Sequence, residues 1–184
     1  ANRNAGTVSV IETATDTVVG QPVPVGAFPQ GVAVTADGTR AYVSNGGANS
    51  VSVIETATNT VVGLPVPVGA TPFGVAIAPD GSRAYVTNIG DDSVSVIDTV
   101  TNSVVGVPVS VGGGPTAVAI APGGARAYVT NAISNSVSVI ETATNTVVDT
   151  VTVGAGPQGV AITPDGTRAY VVNQGAGTVS VIAI

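Results

Sequence analysis

Few side chains in this 184-residue chain can carry out covalent or acid–base chemistry. There is no His, Cys, Met or Trp, and all five basic residues are Arg. These absences remove an imidazole base, a thiol nucleophile, an amine for a Schiff base and the usual ligands of zinc. Carboxylates, hydroxyls and guanidinium groups remain. Asp91 and Asp92 stand side by side, which could begin a Ca²⁺ site. Calcium takes about six to eight oxygens, however, and no D-x-D-x-D-G loop surrounds the pair, so they read first as solvated loop acids. Arg40, Arg83, Arg126 and Arg168 each stand two residues before a Tyr-Val pair. Asp37, Asp80 and Asp165 lie just upstream, with Gly123 in place of the acid before Arg126. Such arginines would either ring an anion or pair locally with the turn acids at about 0.2–1 kcal/mol each; local pairing is the expected arrangement. No metal, cofactor or catalytic residue is expected.

The formal charge of −6 argues against nucleic acid, whose binding requires a basic stripe. Residues 99–125 carry no charge, but Pro108, Pro115, Pro122 and several glycines interrupt them, so no membrane span is expected. The chain opens on Ala1 without an apolar leader, as a processed product or a piece of a longer protein would.

The elements that must position these residues are repeated. Tyr42–Asn45, Tyr85–Asn88, Tyr128–Asn131 and Tyr170–Asn173 read YVSN, YVTN, YVTN and YVVN at spacings of 43, 43 and 42. A second string, VSVI, begins at Val8, Val51, Val94, Val137 and Val179. Residues 7–45 and 50–88 agree at 29 of 39 positions. Each unit predicts four short strands, A to D, here Gly74–Ala78, Arg83–Asn88, Ser93–Asp98 and Ser103–Val111. Asp-Gly or Gly-Gly joins A to B, and a Thr/Asn turn joins C to D. Strands B and C are apolar on both faces, so each small sheet must be covered on both sides by its neighbours. Radial stacking of four-stranded units achieves this, and the small residues of A suit the crowded axis. The expected fold is all-β: a β-propeller of four-stranded antiparallel blades.

The strings P-x-G-V-A-I-x-P-D-G-x-x-A-Y-V-T-N and S-V-S-V-I-D/E-T resemble the YVTN family of propeller repeats over essentially the whole chain. The resemblance implies a propeller at the cell surface or outside the cell, of the kind found in surface-layer proteins, often with about seven blades. This chain lacks the His residues of related propeller enzymes, so the resemblance carries no activity with it.

Strand counting gives four copies of A, B and D and five of C, hence four blade equivalents. The expected units are residues 31–68, 74–111 and 117–153, with 159–173 completed by 7–25. That pairing would close one chain as a four-bladed ring, or two chains as one eight-bladed ring, with a homodimer slightly preferred; one C strand is then surplus. The B–C and D–A loops vary most between units and share one face, where binding is usually carried. The candidate binding residues there are Phe28, Gln30, Phe73, Ile89, Asp91, Asp92, Ile133, Gln158 and Gln174. The function expected is a non-enzymatic scaffold offering this face to a protein or glycan. A lactonase-like hydrolase with a divalent metal, and an engineered or truncated array without ligand, are the alternatives.

Overall fold

The computed structural model describes all 184 residues and is built of short antiparallel strands, apart from one turn of 3-10 helix at Arg3–Ala5. No helix is long and apolar enough to cross a membrane. Three blades are complete. Blade 2 holds A Pro29–Val34, B Arg40–Asn45 and C Ser50–Glu55, with D in two pieces, Thr60–Val61 and Val66–Pro67. Blade 3 repeats this with Pro72–Ile77, Arg83–Asn88, Ser93–Asp98 and the split pair Ser103–Val104 and Val109–Ser110. Blade 4 comprises Pro115–Ile120, Arg126–Asn131, Ser136–Glu141 and Thr146–Thr152. They are flanked by blade 1, which has only C and D within residues 7–24, and by blade 5, Pro157–Ile162, Arg168–Asn173 and Thr178–Ala183, which has A, B and C.

Local chemistry explains the turns. Gly38, Gly81, Gly124 and Gly166 take φ of 70–75° at the A–B hairpins, where a side chain would be strained. Asp16, Asn59, Asn102 and Asn145 hold φ of 52–55° in the C–D turns, the left-handed region that short polar side chains tolerate. Strand D is split where Gly63 or Gly106 (φ 70° and 67°) precedes a Leu-Pro or Val-Pro pair, which bulges outward and leaves Leu64 and Val107 exposed. Blade 4 lacks one residue here, so Thr146–Thr152 runs unbroken. That missing residue accounts for the single spacing of 42.

The core lies between blades rather than within them. Tyr42, Val51, Val53 and Val66 of blade 2 pack against Ala84, Val86 and Ile97 of blade 3. Tyr85, Val94, Val96 and Val109 meet Val118, Ala127, Val129 and Ile140 of blade 4 in the same way. Strand B of these blades is accordingly buried on both faces. The A strands adjoin one another along the inner side. This is the propeller architecture expected from the repeat.

Two expectations are corrected. Complete units begin two residues earlier than expected because Pro29, Pro72 and Pro115 pair with Asn45, Asn88 and Asn131. Within one chain, the pairing of 159–173 with 7–25 is not formed. Arg168–Asn173 takes Thr178–Ala183 as its partner along its whole length, while residues 7–24 pair with themselves and pack on blade 2 through Val8, Val23, Ala41, Val43 and Ile54. A hairpin with the adjacent strand closes a short loop, at far lower entropic cost than joining the two ends of the chain. The chain is therefore an open arc.

Candidate functional site: the loop rim

Strand register places the B–C and D–A loops on one rim and the A–B and C–D turns on the other. On the turn rim the acids serve the backbone. Asp37 Oδ1 accepts from Thr39 N (3.0 Å) and from the Thr35 hydroxyl. Asp80 accepts from Ser82 N, and Asp165 from Thr167 N and the Thr163 hydroxyl. These bonds favour the charged form. The Thr35 hydroxyl lowers the pKa of Asp37 most, the Thr163 hydroxyl that of Asp165, and the N–H groups of Ser82 and Thr101 those of Asp80 and Asp98. The expected local pairing with Arg is replaced by a different use of the guanidinium. Arg40 Nη1 donates to the Thr99 carbonyl of the next blade, and Arg83 Nη1 to that of Thr142, both at 2.8 Å. Tyr42 and Tyr85 donate to Asn102 Oδ1 (2.7 Å) and Asn145 Oδ1 (3.1 Å) of the same turns. Burial raises the pKa of both phenols. These two rings pack between blades with bonded hydroxyls, whereas Tyr170, in the same position of blade 5, is 40% exposed. A groove of about 480 Å³ opens here between blades 3 and 4, beside Asp80, Arg83 and Gly123.

On the loop rim, each B–C loop folds against the D–A loop that leads into its own blade. Gly46 and Gly47 donate to the carbonyls of Phe28 and Ala27; Ile89 and Gly90 to those of Thr71 and Ala70; Ala132 and Ile133 to those of Gly114 and Gly113. Beneath them the Asn of each Tyr-Val-x-Asn string anchors the hairpin: Asn88 Nδ2 donates to Ser93 and Ser95 at 3.0 and 2.9 Å. The D–A loop passes so closely that a Cβ on Gly69 would lie 2.6 Å from Asn88 Nδ2.

Asp91 and Asp92 are exposed, but each is committed to the backbone. Asp91 accepts from Ala70 N, and Asp92 Oδ1 accepts from Gly114 N at 2.8 Å, bridging to the loop that enters the next blade. They are the solvated loop acids expected from sequence, and each also staples a loop by accepting from a backbone N–H. No group of three or more acids is arranged to hold a metal. The expectation also missed Asn49 and Asn135, which make the equivalent inter-blade bonds to Thr71 N and Gly156 N at 2.9 Å. The available signal was the Asn or Asp that precedes each internal Ser-Val-Ser-Val string.

Of the remaining candidates, Phe28, Ile89, Ile133 and Gln174 lie in the rim loops, whereas Gln30, Phe73 and Gln158, expected in the D–A loops, are the second residues of strands A, which the preceding Pro pairs to B at the rim. Phe28, Phe73, Ile133 and Gln174 are exposed, Ile133 at 77%; Gln30, Ile89 and Gln158 are half-buried. Phe28 adopts φ 50° and Thr71 φ 52° where blades 4 and 5 have Gly114 and Gly156. Arg3 covers the Phe28 ring with its guanidinium carbon 5.7 Å from the centroid.

No family model matches the chain, and no curated protein does. Solved structures do. Hydrazine synthase from Kuenenia stuttgartiensis is 31% identical with a TM-score of 0.87, covering 93% of this chain and 50% of its own. A protein of unknown function from Desulfotomaculum acetoxidans is 22% identical with a TM-score of 0.82, over 97% of this chain and 63% of its own. A proposed 6-phosphogluconolactonase from Bacteroides uniformis is 19% identical with a TM-score of 0.80, over 98% and 62%. The chain thus spans between half and two thirds of the length of these structures. Repeated antiparallel sheets stacked side to side, together with these likenesses, establish the fold as a β-propeller arc.

Proposed function

We propose that this chain is a YVTN-type propeller segment acting as a non-enzymatic scaffold at the cell surface or outside the cell, with the loop rim offered to a protein or glycan. One observation carries this reading. The rim's polar loop residues Asn49, Asp91, Asp92 and Asn135 are used to fix the loops, while Phe28, Phe73 and Ile133 stand exposed on that fixed framework. An aromatic residue held at positive φ costs stability, and such positions cluster where a side chain must be presented. Loops on a rigid support are the usual place for recognition.

The test compares the chain with a Phe28→Ala/Phe73→Ala/Ile133→Ala variant for binding to immobilised surface-layer protein and to purified cell-wall polysaccharide. Binding to either should fall at least about tenfold in the variant with the thermal midpoint unchanged. Equal binding by the two forms, or none by the parent chain, overturns the reading.

A further inference from the structure

The internal seams obey one rule: the Arg and Tyr of a blade donate to the Thr carbonyl and Asn side chain in the next blade's C–D turn. Applied along the chain, the rule leaves two donor pairs over, Arg126 with Tyr128 and Arg168 with Tyr170. It also leaves two acceptor pairs, Thr13 with Asp16 and Thr56 with Asn59. Arg126 and Arg168 are exposed, whereas the engaged Arg40 and Arg83 are half-buried. Apolar side chains divide in the same way. Tyr170, Val172, Val179 and Val181 on blade 5, and Ile11, Val18, Val32 and Val34 on blades 1 and 2, are each at least 40% exposed. The blade 3 residues Tyr85, Val94, Val96 and Ile97 are at most 1% exposed. One face of the arc presents the donors and the other the acceptors.

Charge and sequence identify what joins them. The C–D turn carries Asn59, Asn102 and Asn145 but Asp16, and the A–B turn carries Asp37, Asp80 and Asp165 but Gly123. Head-to-tail contact sets the one carboxylate among the seam acceptors against Arg126, the one arginine whose own turn lacks an acid. The strands at the two faces are also interchangeable. Residues 5–11 and 176–182 are both AGTVSVI, while the internal copies read NSVSVI or DSVSVI. Asn2 Nδ2 bonds Thr7 and Ser9 at 3.0 and 2.8 Å, just as Asn173 Nδ2 bonds Thr178 and Ser180 at 3.1 and 2.9 Å. The C position of blade 5 therefore fits either segment.

We propose that two copies of this chain join head to tail in one closed ring, residues 7–25 of each supplying strands C and D to blade 5 of the other. Residues 178–183 are displaced by the identical strand. Asp16 of one copy meets Arg126 and Tyr128 of the other, and Thr56 and Asn59 receive Arg168 and Tyr170. Tyr170 and Val172 then cover Val32 and Val34. The interface is independent of the loop-rim reading, because it uses different residues on different faces.

The chain has no cysteine, so an Asp16→Cys/Arg126→Cys variant carries only two thiols, both at exposed positions. Bridging them with a short bis-maleimide should give a covalent species of two chains. A bridge within one chain, a ladder of longer species, or no bridge overturns the two-copy ring. In sedimentation, Arg126→Glu should weaken association about tenfold, and less than about threefold when Asp16→Asn is also present. Equal effects in both backgrounds overturn the contact between Asp16 and Arg126.

Discussion

Blade 3 and blade 5 are written in nearly the same residues but hold them differently. In blade 3, Ala84 to Asn88 are all buried; in blade 5, burial alternates, with Ala169, Val171 and Asn173 inside and Tyr170 and Val172 exposed. The strands, turns and hairpin anchors are alike, so the difference comes from the neighbour that blade 3 has on both sides and blade 5 has on one. Strand chemistry makes a blade, and only a second blade makes its interior. One residue responds to that difference. Ser44, Thr87 and Thr130 use their hydroxyls to bond the A strand of the next blade, Thr87 to the Thr116 carbonyl at 2.9 Å, whereas blade 5 has Val172 at this position.

The sharpest way to break this comparison is to delete the same ring in each blade. Tyr85→Ala removes a fully buried side chain and should cost about 3–5 kcal/mol in urea denaturation. Tyr170→Ala, measured where the chain is monomeric, should cost less than about 1 kcal/mol. Similar losses would mean that the blade, not the seam, sets stability. Next in size is exchange of the seam residue. Thr87→Val leaves the Gly74 N–H without its 2.8 Å partner and should cost about 1–3 kcal/mol, while Val172→Thr should shift stability by no more than about 0.5 kcal/mol.

Smaller effects concern the turn rim. Asp37, Asp80, Asp98 and Asp165 are held below the usual value of 3.8 by their hydroxyl and N–H donors. A carboxylate depressed in the folded state stabilises the fold fully above its unfolded-state pKa, and the contribution disappears as pH falls from about 4 through the folded value. The urea midpoint should therefore hold from pH 7 to 5 and fall below 4. An Asp37→Asn/Asp165→Asn variant should show a shallower fall. The smallest change is at the loop rim: Phe28→Gly relieves positive φ, loses the Arg3 stack and the ring's packing on Gly47, and should leave the thermal midpoint within a few degrees of the parent.

Much of this architecture was legible in the sequence because it is local. The 43-residue period, the Asp-Gly hairpins and the two-faced strands define a blade within about forty residues. Tyr42 and Tyr85 lie buried at the internal seams, whereas Tyr170, in the same string, is exposed. What was not legible depends on partners in other blades. Arg40 reaches a carbonyl 59 residues away, and Asp92 a backbone N–H 22 residues away. The charge of Asp37 beside Arg40 suggested a pair, but the flanking hydroxyls of Thr35 and Thr39 compete at shorter range. The 7–25 pairing does not form within one chain because strand identity alone does not choose between two equal partners; the length of the intervening chain does.

The missing residue in the outer strand of blade 4 has a consequence beyond spacing. Blades 2 and 3 interrupt their outermost strands, leaving nothing straight enough to template a further strand. Residues 146–152 form a continuous seven-residue margin, bulged only at Val148, with Asp149 as its only charge. That carboxylate and the bulge beside it guard the margin of the arc: neutralise the one and straighten the other, and this stretch becomes the place where unrelated copies would begin to adhere side by side.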